Sequence, residues 1–319
     1  MREISYEEAA TEAIQEAFRR DKKTVHLSTD VPEDLQQEFG AERVRGTPIA
    51  ESSFAGAGIG LAGSGFRTVV NLRMATFAFV ATDQLVNHAA KITYMFGGQA
   101  SFPVMYRMTV GAGRSMAAEH SISPYPMYMG FPGLKIILPT TPYDIKGLFT
   151  TALTDNNPVI SFEHMNLGSL KGEVPESSYS IPFGQAKIRR EGKDVTVVGL
   201  SKMVYDALDA AQELERSRIS AEVIDPRTLV PFDKESILTS VRKTGRLVVV
   251  DEACQTCGAA AEIIALVTGD KETFKRMKAR PVRITGLDVP IPFSPVMEKF
   301  VIPDKDKIIK AILGLMRDN

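Results

Sequence analysis

Residues 194–214 read DVTVVGLSKMVYDALDAAQEL, and the fold class is decided there. DVTVVGL is a β-branched run of strand length, and 203–214 is amphipathic at helical spacing. The alternation continues outward in both directions. Downstream, strands are predicted at 220–224, 246–250 (ending on Asp251) and 282–285, with helices at 234–241, 259–267 and 305–316. Upstream, Ser5 and Glu8 make a capping-box pattern. Ala9, Ala10, Ala13, Ile14, Ala17 and Phe18 then recur at helical spacing. Further strands are predicted at 24–28, 68–72, 103–108, 135–138 and 159–162, and helices at 54–65, 82–96 and 144–153. Strands alternating with helices imply parallel sheets covered on both faces, and the pattern runs twice. Between the runs, 163–193 is rich in Gly, Pro and Ser and reads as an interdomain connection with room for a short strand.

The 319 residues carry 38 basic and 39 acidic side chains, a net charge of −1, which argues against bulk electrostatic partners such as nucleic acid or an anionic membrane. The length gives a prior of two domains, and such a chain can bury a core without disulfides or metal. Two cysteines, Cys254 and Cys257, provide no disulfide framework and fit a reducing, cytoplasmic setting. No apolar run of membrane-spanning length occurs, and MREISYEEAA lacks the character of a signal peptide.

Several motifs invite a chemical reading. Gly58-Ile59-Gly60-Leu61-Ala62-Gly63 matches a dinucleotide fingerprint, but no long apolar strand feeds it, so a helix needing small residues for close packing is favoured. Cys254-Gln255-Thr256-Cys257 lacks the second ligand pair that zinc requires. A redox dithiol at a helix start competes there with two small residues in a loop. His26 and His88 sit in strand and helix patterns and read as structural, while His164 is open either way. His120 lies on a glycine-containing loop beside Arg114 and Glu119, equally a proton-transfer group or a structural one. Glu51, at a probable helix start, suits the helix dipole and reads first as terminal capping. No P-loop, H-E-x-x-H or G-x-S-x-G is present.

Longer stretches carry more weight: RGTPIAE (45–51), DQLVNHAAK (83–91), YMFGGQ (94–99), PGLK (132–135), PYD (142–144), DNNP (155–158), GEVP (172–175), TGR (244–246) and VPIPFSP (289–295). Together they resemble the β subunit of the thiamine-diphosphate-dependent first component of 2-oxo acid dehydrogenase complexes, over the whole chain. The stretch 95–101 is nearest to the acetoin dehydrogenase branch, with pyruvate and branched-chain members close by.

The resemblance implies an α/β fold. A parallel-sheet, pyrimidine-type thiamine-diphosphate-binding domain (1–185) is followed by a transketolase C-terminal-like domain (186–319). It implies an oxidoreductase active with an α subunit in an α2β2 heterotetramer. Thiamine diphosphate would be shared between the chains, with Mg2+ and the diphosphate held by α. A lipoyl-bearing acyltransferase would be a further partner. The diphosphate signature, Gly-Asp-Gly followed by Asn, is absent here, so the chain should not bind the cofactor productively alone.

By the same resemblance Glu51 hydrogen-bonds pyrimidine N1′ and favours the imino tautomer that deprotonates the thiazolium. Phe77 packs on the pyrimidine, with Phe79 and Met74 as alternatives. His120 serves proton transfer or holds the incoming lipoyl group. Asp155 and Asn157, with the carbonyls of Ala152 and Leu153, correspond to a K+ loop in some relatives, or form a plain turn.

Three features depart from the family pattern. The glycine-rich stretch usual after 27–35 is missing, Glu119-His120-Ser121-Ile122 replaces Gln-His-Ser-Gln, and Met105, Met108, Met116, Met127 and Met129 crowd the region. The methionines suit either core filling or an adaptable pocket for a donor bulkier than pyruvate. A two-chain thiamine enzyme forming carbon–carbon bonds and a non-catalytic scaffold are the competing readings.

Overall fold

The computed structural model describes residues 1–317. The chain divides into two compact units, Met1–Val110 with Met127–Phe183, and Gly111–Pro126 with the chain from Gly184 onward. Nothing in composition announces that 111–126 joins the second unit.

In chain order the first elements are β1 (Arg2–Ser5), α1 (Tyr6–Arg20), β2 (Thr24–Ser28), α2 (Glu33–Phe39), β3 (Val44–Gly46), α3 (Glu51–Gly63), β4 (Arg67–Met74), α4 (Ala90–Met95) and β5 (Val104–Val110). Then come α5 (Ala117–His120), α6 (Tyr125–Met129), β6 (Lys135–Ile137), α7 (Pro142–Ala152), β7 (Val159–His164) and β8 (Lys171–Val174). The capping box forms as predicted. Ser5 Oγ accepts from the Glu8 amide, and the Glu8 carboxylate accepts from the Ser5 amide. The apolar face of α1 is buried from Tyr6 to Phe18.

The sheet of the first unit runs β6-β7-β5-β4-β2-β3, with every neighbouring pair parallel. Its strands β2 and β7 are buried at every position, polar residues included, because both faces are covered. The helix predicted over 82–96 forms as one unbroken helix to Met95, preceded by a 3-10 turn (Phe77–Ala81) and wound in two ways, π over Gln84–Ala89 and then α4. Their apolar faces recur at similar intervals, so periodicity alone does not separate them. The connection at 163–193 contains β8, which pairs antiparallel with β1 from Arg2↔Val174 to Ser5↔Lys171.

The second unit contains β9 (Lys187–Arg190), β10 (Val195–Gly199), α8 (Met203–Leu214), β11 (Ala221–Asp225), β12 (Thr228–Val230), α9 (Lys234–Thr244), β13 (Leu247–Cys254), α10 (Ala259–Gly269), α11 (Lys271–Arg276), β14 (Val282–Gly286), α12 (Pro295–Val301) and α13 (Lys305–Leu315). Its sheet runs β14-β13-β10-β11-β9, parallel except for β9 against β11. Val195, Val197, Val223, Val248 and Val250 pack beneath α8 and α13, including Ala207, Ala211, Leu214, Ile308 and Ile312. Strand β13 continues past the predicted end at Asp251 to Cys254. Among the described residues, no helix is long and apolar enough to cross a membrane.

Candidate active site

Helix α3 is mounted on the sheet by contacts that only small residues permit. The Tyr106 hydroxyl on β5 donates to the Ala55 carbonyl at 3.1 Å, and Thr68 Oγ1 on β4 donates to the Gly58 carbonyl at 3.1 Å. Burial pushes the Tyr106 hydroxyl pKa up, so it stays a donor. A Cβ on Gly58 would lie 2.6 Å from Val70 Cγ2, and one on Gly63 would lie 2.8 Å from Phe102 Cε1. The G-x-G-x-x-G match therefore lies within a helix packed closely at Gly58 and Gly63, as the sequence favoured, while Gly60 faces open space.

Glu51 is the first residue of α3. It does not cap the helix: the N-cap position is Ala50, which makes no side-chain cap bond. Its side chain is buried, at 8% exposure. Among the described residues no hydrogen bond or ion pair reaches its carboxylate. A buried carboxylate is costly without a donor, and at a helix N-terminus the dipole favours its anion.

Met74 closes β4 immediately after a register irregularity between Asn71 and Met74, with Arg73 in the left-handed region at φ +61°. Such bulges re-aim the residues that follow. Phe77 begins the 3-10 turn that packs against α3 and is half-buried, whereas Phe79 is 42% exposed. Glu51, Met74, Phe77 and Phe79 thus lie on neighbouring elements of the first unit.

His120 ends α5 in the second unit and is half-buried. The segment that carries it is held by carboxylates that sequence reading missed. Glu252 Oε1 accepts from the Ala112 amide at 2.8 Å and from Ser123 Oγ at 3.3 Å. The two oxygens of Glu298 accept from the Gly113 amide at 2.8 Å and the Ser115 amide at 3.0 Å. Tyr125 donates to Asp251. Burial pushes Asp251 up to about 6, against the lowering effect of Tyr125 and the amides of Ala253 and Ala260.

The predicted cation loop is occupied by the chain's own groups. Asp155 Oδ1 accepts from the Asn157 amide at 2.9 Å and from Asn157 Nδ2 at 3.2 Å, and Lys135 ion-pairs with Oδ2. The Ala152 carbonyl accepts from the Asp155 amide at 3.3 Å, and Leu153 is buried beside it. Burial acts to raise the Asp155 carboxyl, but Lys135 and Asn157 outweigh it and hold the pKa low. A carboxylate already paired with an ammonium does not suit a further cation, so these residues do not fit K+.

Other candidates resolve as structure. His26 is fully buried, and burial, helped by Arg107, pushes it down to about 3, so it is neutral. His88 is exposed near Asp83, and His164 Nδ1 accepts from the Asn166 amide at 3.1 Å. Cys254 ends a strand instead of opening a helix, and α10 starts beyond Cys257. Both thiols are exposed, and partial desolvation with Asp288 pushes the Cys254 thiol up, opposite to the lowering that a helix start would give. Met105 and Met108 are wholly buried in β5 and fill core, whereas Met116 and Met127 are exposed.

Known proteins share this architecture. Residues 2–169 match the family described as Transketolase, pyrimidine binding domain, and 184–308 match Transketolase, C-terminal domain. The chain is 43% identical to the acetoin:2,6-dichlorophenolindophenol oxidoreductase subunit beta of Bacillus subtilis (strain 168), covering 99% of this chain and 98% of that one. It is 42% identical to the pyruvate dehydrogenase E1 component subunit beta of Rickettsia felis (strain ATCC VR-1525 / URRWXCal2), covering 97% of each. A solved structure titled "Split gene transketolase, inactive beta4 tetramer" superposes with a TM-score of 0.79 at 23% identity over 98% of both chains, a likeness of fold. With both transketolase domains in sequence and such identity along nearly its full length, the chain belongs to the family of acetoin and 2-oxo acid dehydrogenase β subunits.

Proposed function

We propose that the chain is the β half of a two-chain, thiamine-diphosphate-dependent dehydrogenase. The enzyme cleaves acetoin or decarboxylates a 2-oxo acid and passes the acyl group to a lipoyl carrier. The observation that carries this reading is Glu51, a buried carboxylate at the head of α3 without a donor among the described residues. It lies inside the stretch matching the pyrimidine-binding domain.

Bound thiamine diphosphate supplies an acidic thiazolium carbon and an electron sink. The chain's own part is local. Glu51 would accept a hydrogen bond from pyrimidine N1′ and keep a proton there. Phe77 would pack against the pyrimidine ring, with Phe79 and Met74 as alternatives. His120 moves a proton at the substrate or steadies the lipoyl group. In sequence the pyrimidine-binding domain spans 1–185 and the C-terminal domain 186–319, although 111–126 groups with the second compact unit.

The absence of a Gly-Asp-Gly…Asn signature supports an α subunit that holds Mg2+ and the diphosphate; the proposed assembly is α2β2 and cytoplasmic. A lipoyl-bearing acyltransferase completes the set of partners. Glu51→Gln, reconstituted with the α subunit, is expected to assemble normally and lose most turnover with acetoin or pyruvate. Full activity of that variant refutes the reading.

A further inference from the structure

In an open parallel sheet, ligands bind beyond the carboxyl ends of the strands, where successive connections turn to opposite sides. In the second unit that point lies between β10 and β13, since β11 pairs on one side of β10 and β13 on the other. Strand β10 ends at Gly199, opposite Val250 in the ladder, so Asp251 and Glu252 project past its end. The groups they hold belong to this chain. Ala112, Ser123 and Tyr125 all donate to them.

One further carboxylate completes the arrangement. Glu298 on α12 is 3% exposed and takes the Gly113 and Ser115 amides on its two oxygens. The backbone it grips is contorted. Gly111 and Gly113 have φ of +100° and +102°, and the non-glycine residues Ser115 and Ala117 have +54° and +60°. Left-handed non-glycine residues persist only where their surroundings over-determine them. Here the determinants are anionic oxygens meeting clustered amides, an anion nest filled from within. His120 lies between the Ala112–Ser115 attachment and the Ser123–Tyr125 attachment.

We propose that Glu298 is a positioning residue for the reaction: with Glu252 it clamps the 112–115 amides and so fixes the backbone that presents His120. This rests on the reading of His120 as an active-site group. No role in binding substrate or cofactor is assigned to Glu298 itself.

The test uses the full chain assembled with its α subunit. Glu298→Gln keeps the shape but turns an amide NH2 toward a backbone donor, and Glu298→Ala removes both acceptors. Hydrogen exchange is followed over 111–126, and turnover by reduction of 2,6-dichlorophenolindophenol. Exchange over 111–126 should speed up, and kcat should fall on the order of 100-fold, as expected when a catalytic group is misplaced by about 1 Å. In a His120→Ala background, Glu298→Gln should cause little further loss of kcat, because the two act as one unit.

Unchanged exchange or unchanged kcat in both Glu298 variants overturns the proposal. A loss that adds in full to that of His120→Ala overturns the positioning role while leaving the His120 reading standing. Parent-level turnover by His120→Ala overturns the His120 reading itself, and the exchange data then judge the clamp alone.

Discussion

Replacing Gly58 with alanine tests how tightly α3, and with it Glu51, is set on the sheet. The added Cβ would fall 2.6 Å from Val70 Cγ2, with Thr68 Oγ1 and Val104 Cγ2 at 3.7 Å. Favourable carbon contacts lie at about 3.5–4.0 Å, so roughly 1 Å must be found. Val70 is fully buried in β4, and its β-branched side chain has few rotamers to retreat into. The helix must lift instead.

Alanine gains about 1 kcal/mol of helix propensity over glycine. Overpacking costs about 1–3 kcal/mol. The net expectation is a destabilisation of about 1 kcal/mol, opposite in sign to an exposed Gly→Ala change. Val70→Ala alone opens a cavity and should cost about 2 kcal/mol. In the double variant the new methyl occupies the vacated space, so the loss should fall short of the sum by about 1–2 kcal/mol.

Scanning calorimetry on the four proteins reads this cycle. Turnover reads the same displacement at Glu51, seven residues or about 10.5 Å along the helix, and should fall in Gly58→Ala and recover with Val70→Ala. Parent or higher stability in Gly58→Ala, or strict additivity in the double variant, would refute the packing argument.

Three other outcomes are expected. Lys146 on α7 is completely buried and pairs with Glu12 at 2.7 Å and Glu16 at 3.0 Å on α1. Lys146→Met should cost about 3–5 kcal/mol in thermal unfolding, with most of it regained when both glutamates become glutamine. His26, depressed to about 3 in the folded chain, takes up its proton near pH 6.5 when unfolded. The unfolded state thus binds more protons between those values, so this stability is complete above pH 6.5 and drains away as pH falls toward 3, by at most about 5 kcal/mol. His26→Leu should flatten that limb in a pH series of melting curves. Cys254→Ser with Cys257→Ser should leave activity and its response to oxidant unchanged, since burial and Asp288 disfavour the Cys254 thiolate.

What the sequence reveals here is what is local. Met203–Leu214 is a helix with the predicted bounds because its apolar stripe needs no distant information. Ser5 and Glu8 announce their cap because both partners lie within one turn. Glu51 is found at a helix start because small residues follow it. That no donor among the described residues reaches it is visible only in three dimensions. The carboxylates around His120 leave no trace in sequence. Glu252 meets Ala112 across 140 positions, and Glu298 meets Gly113 across 185. The Lys135–Asp155 pair was hidden for a related reason: a loop of oxygens invites a metal in sequence, and only the fold shows a side-chain ammonium reaching it.

The β1–β8 ladder has a topological consequence. Pairing Arg2 with Val174 ties the two ends of the first unit together, so its backbone is close to a ring. The residues before Tyr6 are a clasp and not a disposable tail. Trimming them strips the α1 cap, at about 1 kcal/mol, and leaves β8 an unpaired edge.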